Sequence, residues 1–163
     1  MINTRNMTSI YLVRGNRILL LYRQGSRVAS GLWTGSAGGH FEEYELNDPE
    51  ACVLREMNEE LGLKREDTED LNLRYITLRR IKGEIRQNDF FFAALKEATP
   101  SDLSSNEGIL KWFPIDEIDL LEMPYSAKFV LRHYLTKGRD SNEIYVGVSD
   151  GNDVVFTAMS EYP

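Results

Sequence analysis

The chain has 163 residues, of which 42% are hydrophobic and 28% charged, with a formal net charge of −7. Such a mixture fits one globular domain, residues 1–163, with its own core, and excludes a disordered polyelectrolyte. The acidic surplus argues against binding a nucleic-acid polymer through its backbone, and apolar runs no longer than ILLLY and FFFAAL argue against a membrane span.

The N-terminal segment MINTRNMTS has no apolar stretch of the signal-peptide kind. Cys52 is the one cysteine, so no intrachain disulfide forms, which fits a reducing, cytoplasmic setting. In chain order, SIYLVR (9–14) and RILLLYRQ (17–24) are predicted to form a hairpin about Gly15 and Asn16. Residues 25–40 are glycine-rich and irregular, with a short strand near Trp33. A helix follows in NDPEACVLREMNEELG, where Asp48 caps, Pro49 suits the first turn and Gly62 suits the stop. Two long strands, 71–81 and 84–95, meet near Gly83. A polar loop (96–108), a strand in ILKWFPI, a short helix in DEIDLLEM and a second long helix beginning at Pro124 complete the core, about 8–135. The tail (143–160) alternates about an Asp-Gly-Asn turn as a hairpin whose edge offers a pairing surface for a homodimer. The order predicts an α+β chain, an α/β/α sandwich around a mixed sheet.

The helix at 49–61 carries the chemistry. With about 100° per residue, Glu56, Glu59 and Glu60 fall on one stripe, opposite Leu54, Met57 and Leu61. Neighbouring like charges repel, and anions near a helix C-terminus meet the wrong end of the dipole. A solvated face is the ordinary reading of a Glu-rich helix. A cluster of hard oxygen ligands for Mg²⁺ or Mn²⁺ is the sharper one. The adjacent GSAGGHFE favours the second, because glycines let the backbone approach and expose carbonyls.

GGHFEEYE followed by REMNEELGL resembles the Nudix box, G-x5-E-x7-R-E-U-x-E-E-x-G-U with U apolar. Gly39 and Glu45 match its first half. Arg55, Glu56, Met57, Glu59, Glu60, Gly62 and Leu63 match its second. The departure is the spacer: nine residues separate Glu45 from Arg55 instead of seven, which leaves the role of Glu45 open. The flanking segments also resemble a MutT-type Nudix domain from about residue 8 to 135. The resemblance implies a Mg²⁺- or Mn²⁺-dependent hydrolase acting on a nucleotide substrate, a nucleoside diphosphate linked to another group. It implies Glu59 and Glu60 as metal ligands, Glu56 as ligand or water-orienting group, Gly38 as a carbonyl ligand and Arg55 as the clamp on a carboxylate. Glu107, a few residues before Trp112, falls where members of the family add a further carboxylate as ligand or general base.

Arg23 stands at the end of its strand as a candidate phosphate contact. Thr34 and Gly39 are candidate substrate contacts, although related oxidised-guanine hydrolases can carry Asn where Thr34 falls. Phe91 reads as core, His40 and His133 as structural or exposed, Cys52 as a small packing residue, and the basic RRIKGEIR as a solvated strand end. Among substrates, an oxidised purine deoxynucleoside triphosphate is the first reading. A nucleoside-diphosphate sugar, a dinucleoside polyphosphate, or a non-catalytic nucleotide sensor stay open beside it.

Overall fold

The computed structural model describes residues 1–25 and 29–163; residues 26–28, early in the glycine-rich stretch, lie outside the description. Strands β1 (Asn3–Arg14) and β2 (Arg17–Arg23) form the expected hairpin. After the short β3 (Trp33–Thr34) comes α1 (Pro49–Leu61), then β4 (Thr68–Ile81), β5 (Glu84–Leu95) and β6 (Gly108–Pro114). The chain continues through α2 (Tyr125–Thr136) to β7 (Ile144–Ser149) and β8 (Val154–Met159). The short helix expected in DEIDLLEM (116–123) is a 3-10 helix over Ile115–Leu120.

All eight strands join one mixed sheet in the order β3-β2-β1-β5-β4-β7-β8, with β6 on β2. β1 runs parallel to β5 and β4 parallel to β7; the other pairs are antiparallel. The first half of β1 exceeds the sequence expectation. Asn3–Thr8 has no apolar alternation, yet it pairs with Glu84–Asp89. Its strand character comes from the ladder that β5 offers, not from its own side chains. Between β4 and β5, Lys82 and Gly83 both take positive φ, 49° and 82°. This is the two-residue turn that suits the twist of a hairpin and sets its register.

Side-chain alternation gives the sheet two oily faces. On one, Ile10, Leu12, Leu19 and Phe91 pack against Val53, Met57 and Leu61 of α1. On the other, Tyr11, Leu20, Tyr75, Phe90 and Phe92 pack against Ala127, Val130 and Leu131 of α2. The result is the anticipated sandwich, one helix on each face. Phe91 is core, and His133 is structural, its Nδ1 lying 2.9 Å from the Tyr75 hydroxyl.

Helix α1 begins and ends where its sequence says it should. The Asp48 side chain accepts from the Ala51 N–H at 3.0 Å. Gly62 takes φ 69° and its N–H reaches the Asn58 carbonyl at 2.9 Å, closing the last turn. Cys52, Val53 and Met57 are fully buried. Full burial of a side chain such as Met57 is worth about 1.5–3 kcal/mol. Met57→Ala should therefore cost about 2–5 kcal/mol in a urea titration. A loss under about 1 kcal/mol would mean that α1 is not held to the sheet by this side chain.

Candidate active site

The glycine segment sets the floor of the site. Its backbone lies along β1: the N–H of Thr8 donates to the Gly39 carbonyl at 2.8 Å, and that of Ile10 to the Ala37 carbonyl at 2.9 Å. The buried Ser36 hydroxyl pins the segment, accepting from Leu12 N–H at 3.0 Å and donating to the Leu19 carbonyl at 2.7 Å. By strand alternation, the polar groups of Gly38 point away from β1. Gly38 has no room for a side chain against the Thr8 backbone, and a side chain on Gly39 would have to displace the Glu56 carboxylate. A Cβ on Gly38 would stand 2.2 Å from the Thr8 carbonyl oxygen, and one on Gly39 would stand 2.3 Å from Glu56 Oε1. Gly39 thus makes room for the Glu56 carboxylate to lie on the backbone.

Arg55 organises the acidic face. Its Nε donates to Glu45 Oε1 at 2.6 Å and one terminal nitrogen to Glu45 Oε2 at 3.0 Å, a two-pronged pair. That nitrogen also donates to the His40 carbonyl at 3.0 Å. The other donates to Glu56 Oε1 at 2.8 Å and Glu59 Oε2 at 3.2 Å. The role left open for Glu45 is thereby assigned: it is 1% exposed and anchors the guanidinium. The two extra spacer residues do not displace it. A 3-10 turn over Glu43–Glu45 and the turn at Leu46 and Asn47 absorb them before Asp48 caps α1.

The three glutamates of the stripe meet different fates. Glu59 is 58% exposed and, among the described residues, bound only through Arg55. Burial pushes the Glu56 carboxyl up, and the Arg55 hydrogen bond pulls it partly back. Glu60 has no such partner. Among the described residues its Oε2 is buried without a hydrogen bond; burial, then repulsion from Glu56, raise its pKa to about 7, against a hydrogen bond from the Gly38 backbone that lowers it. The charges of Arg23 and Glu107 also reach it, the first lowering and the second raising it. Arg23 pairs with Gly108 across β2 and β6, which brings Glu107, the residue before Gly108, to the same end of the sheet. Arg55 holds Glu56 and Glu59 toward itself, and among the described residues no three acidic, His or Cys side chains form a ready-made metal cage.

A cleft extends from Gly38 and Arg23 across the α2 face of the sheet, lined further by Thr34 and Phe90. The Thr34 hydroxyl is spent on the Leu21 and Gly35 carbonyls, at 3.3 and 3.4 Å. Trp33 turns instead into an aromatic cluster with Tyr22 and Phe113. Arg79 and Arg86, from the stretch read as a solvated strand end, line the cleft, as does His40. Burial lowers the His40 pKa, and the charges of Arg5, Arg23 and Arg86 push the same way. Cys52 is a buried packing residue, its thiol pushed up to about 12 by desolvation.

Comparison with known proteins places this geometry among relatives. The family model described as the NUDIX domain matches residues 3–134. The chain resembles the crystal structure of a MutT protein from Bacillus halodurans, with TM-score 0.68 and 22% identity, over 94% of this chain and 97% of that one. It resembles a MutT Nudix hydrolase from Burkholderia pseudomallei, with TM-score 0.64 and 24% identity, over 80% and 97%. For a MutT protein from Methanosarcina mazei the values are 0.63 and 18%, over 83% and 97%. At these identities the likeness to solved structures is one of fold.

Two carboxylates should respond to pH with opposite signs. The Arg55 hydrogen bond lowers Glu45 from an ordinary 4.5 to about 2. Its stabilisation is present above about 4.5 and fades as pH falls through about 2. Glu60 is raised from 4.5 to about 7, so its contribution is full below 4.5 and is lost as pH rises through 7. In chelator, Glu60→Gln should melt above the wild type at pH 8 and converge with it at pH 4.5, while Glu45→Gln should melt below it at pH 7 and approach it in acid. Parallel pH–melting curves for all three proteins would contradict both assignments.

Proposed function

The chain belongs to the Nudix family, hydrolases of pyrophosphate bonds in nucleotide derivatives, and we propose that it cleaves a nucleoside diphosphate linked to a further group, using Mg²⁺ or Mn²⁺ held beside α1. One observation carries this reading: the buried Glu60 Oε2, without a hydrogen-bond partner among the described residues and raised in pKa by burial and by Glu56 and Glu107. Leaving a carboxylate oxygen buried without a partner is costly, and a hard cation removes the cost. An all-oxygen donor set suits Mg²⁺ or Mn²⁺ better than soft-ligand metals. Mg²⁺ keeps several of its waters, so a closed protein cage is unnecessary.

Glu56, Glu59 and Glu60 would hold the ion, with the Gly38 carbonyl and Glu107 as further ligands. The bound ion supplies Lewis-acid neutralisation of the phosphoryl oxygens. Arg55 fixes the rotamer of Glu56 while leaving its second oxygen to the site. Glu107 takes the proton of the attacking water as general base. Arg23 meets a phosphate, and the cleft past Thr34 takes the nucleoside. An oxidised purine deoxynucleoside triphosphate stays in the substrate set, although Thr34, its hydroxyl already bonded to the backbone, gives no amide fork to read a base. Nucleoside-diphosphate sugars and dinucleoside polyphosphates fit the same chemistry. A single free, buried cysteine accords with a reducing cytoplasmic setting. The edge strand β8, with Val155 and Met159 exposed, is the proposed contact of a homodimer.

A hydrolysis screen over those three nucleotide classes with Mg²⁺ or Mn²⁺ tests the reading. Activity should vanish in chelator, and Glu60→Gln should lose at least about a hundredfold in kcat. Glu107→Gln should lower kcat with little change in KM. Full activity in Glu60→Gln would move the chemistry elsewhere, and a folded chain that binds nucleotides but turns over none would be a sensor. Gel filtration should give twice the monomer mass, and a monomer would remove the role given to β8.

A further inference from the structure

The second concentration of charge in the molecule is positive, and the reaction above does not use it. Across three adjacent strands, Arg5 of β1 is the register partner of Arg86 of β5, and Arg86 is in turn the partner of Arg79 of β4. Alternation puts all three on the face of Tyr11, Phe90 and Tyr75, and all three line the cleft. Neighbouring strands lie about 4.8 Å apart, and like charges directly opposite destabilise a sheet. Among the described residues, the one acid paired within the row is Glu84, whose Oε1 accepts from Arg86 Nε at 2.6 Å. Arg79 Nε and Asn88 Oδ1 are buried with no partner among the described residues. Asn88 stands one place along the same face from Arg86, and an amide turned about its axis would present donors to the cleft. α2 brings Pro124, Ser126 and Ala127, its N-terminal turn, to the same cleft, the helix end that favours anions.

A solvated row of strand arginines would leave no buried nitrogen without a partner. Anion binding explains the orphaned Nε, the missing counter-charges and the helix end together. The Thr8–Gly39 contact marks the level of the glycine floor, and Arg5 lies three residues away along β1, about 10 Å. We propose that the Arg5–Arg86–Arg79 row binds a second acidic group of the substrate, a phosphate monoester or a carboxylate, about 10 Å from the pyrophosphate that is cleaved. The substrate class is then a pyrophosphate-linked nucleotide with an additional anionic function on the part distal to the scissile bond. This rests on the hydrolase reading only for the position of that bond.

Binding and turnover test it separately. By calorimetry with Mg²⁺, adenosine 3′,5′-bisphosphate is compared with adenosine 5′-monophosphate, and orotidine 5′-monophosphate with uridine 5′-monophosphate. At least one doubly acidic ligand should bind about ten- to a hundredfold tighter than its partner. The pair that shows the difference identifies phosphate or carboxylate. Arg79→Gln and, independently, Arg86→Gln should collapse that ratio, and Arg79→Gln, which breaks no ion pair among the described residues and relieves repulsion, should not lower the melting temperature. In turnover, coenzyme A compared with dephospho-coenzyme A should show the phosphate preference as a lower KM. Equal affinities within both pairs overturn the subsite, as does a preference that survives in both variants. Absence of turnover for every nucleotide overturns the hydrolase reading alone, and the affinity ratios still decide the subsite.

Discussion

The Arg55 guanidinium is the contact on which the acidic face depends. Three carboxylates on one helical stripe repel one another, and a helix C-terminus adds to the penalty. One planar cation with five fixed donors reaches Glu45, Glu56, Glu59 and the His40 carbonyl at once. A lysine could supply the charge but not the fork. Glu45 contributes nothing to the stripe itself. Buried beneath it, it holds the guanidinium in the one orientation that serves the others. The network is a positioning device, since removing either partner of a buried pair strands the other.

That device is selective. Arg55 satisfies Glu56 and Glu59 and leaves Glu60, whose carboxylate is buried between the helix and the glycine floor. Local frustration is therefore concentrated at one oxygen. Folding stability is lost there, and reactivity is what such a site can gain in return. The same trade recurs on the other face of the sheet, where the arginine row is less stable than a polar row would be. The net charge of −7 hides this separation. The cleft runs from carboxylates to guanidiniums, so it discriminates along its length. On the proposed reading, the acidic end takes an anion only with a cation between them, while the basic end takes one directly.

Much of this was legible beforehand. Capping residues and the 3.6-residue period gave α1 and its two faces, because both are local. The order of strands and helices gave the sandwich. Even the Arg79–Arg86 pairing follows from a two-residue turn at Lys82 and Gly83, although local basicity by itself reads as a solvated end. What local pattern could not give was Arg5. Residues 3–8 show no alternation, and their strand state depends on a parallel partner some eighty residues away. Nor could spacing decide Glu45, because a count of residues through a loop does not say where the loop bulges.

By itself, the sequence determined the candidate groups, a glutamate helix with its arginine and the glycines before it, and the family to which the chain belongs. These are properties of neighbours along the chain, where helical geometry fixes the spacing. Only the tertiary structure decided which charges are left unmatched. Burial of Glu60 and the alignment of Arg5 with Arg86 and Arg79 depend on strand register between distant segments. Register is set by the packing of whole faces, not by any one residue.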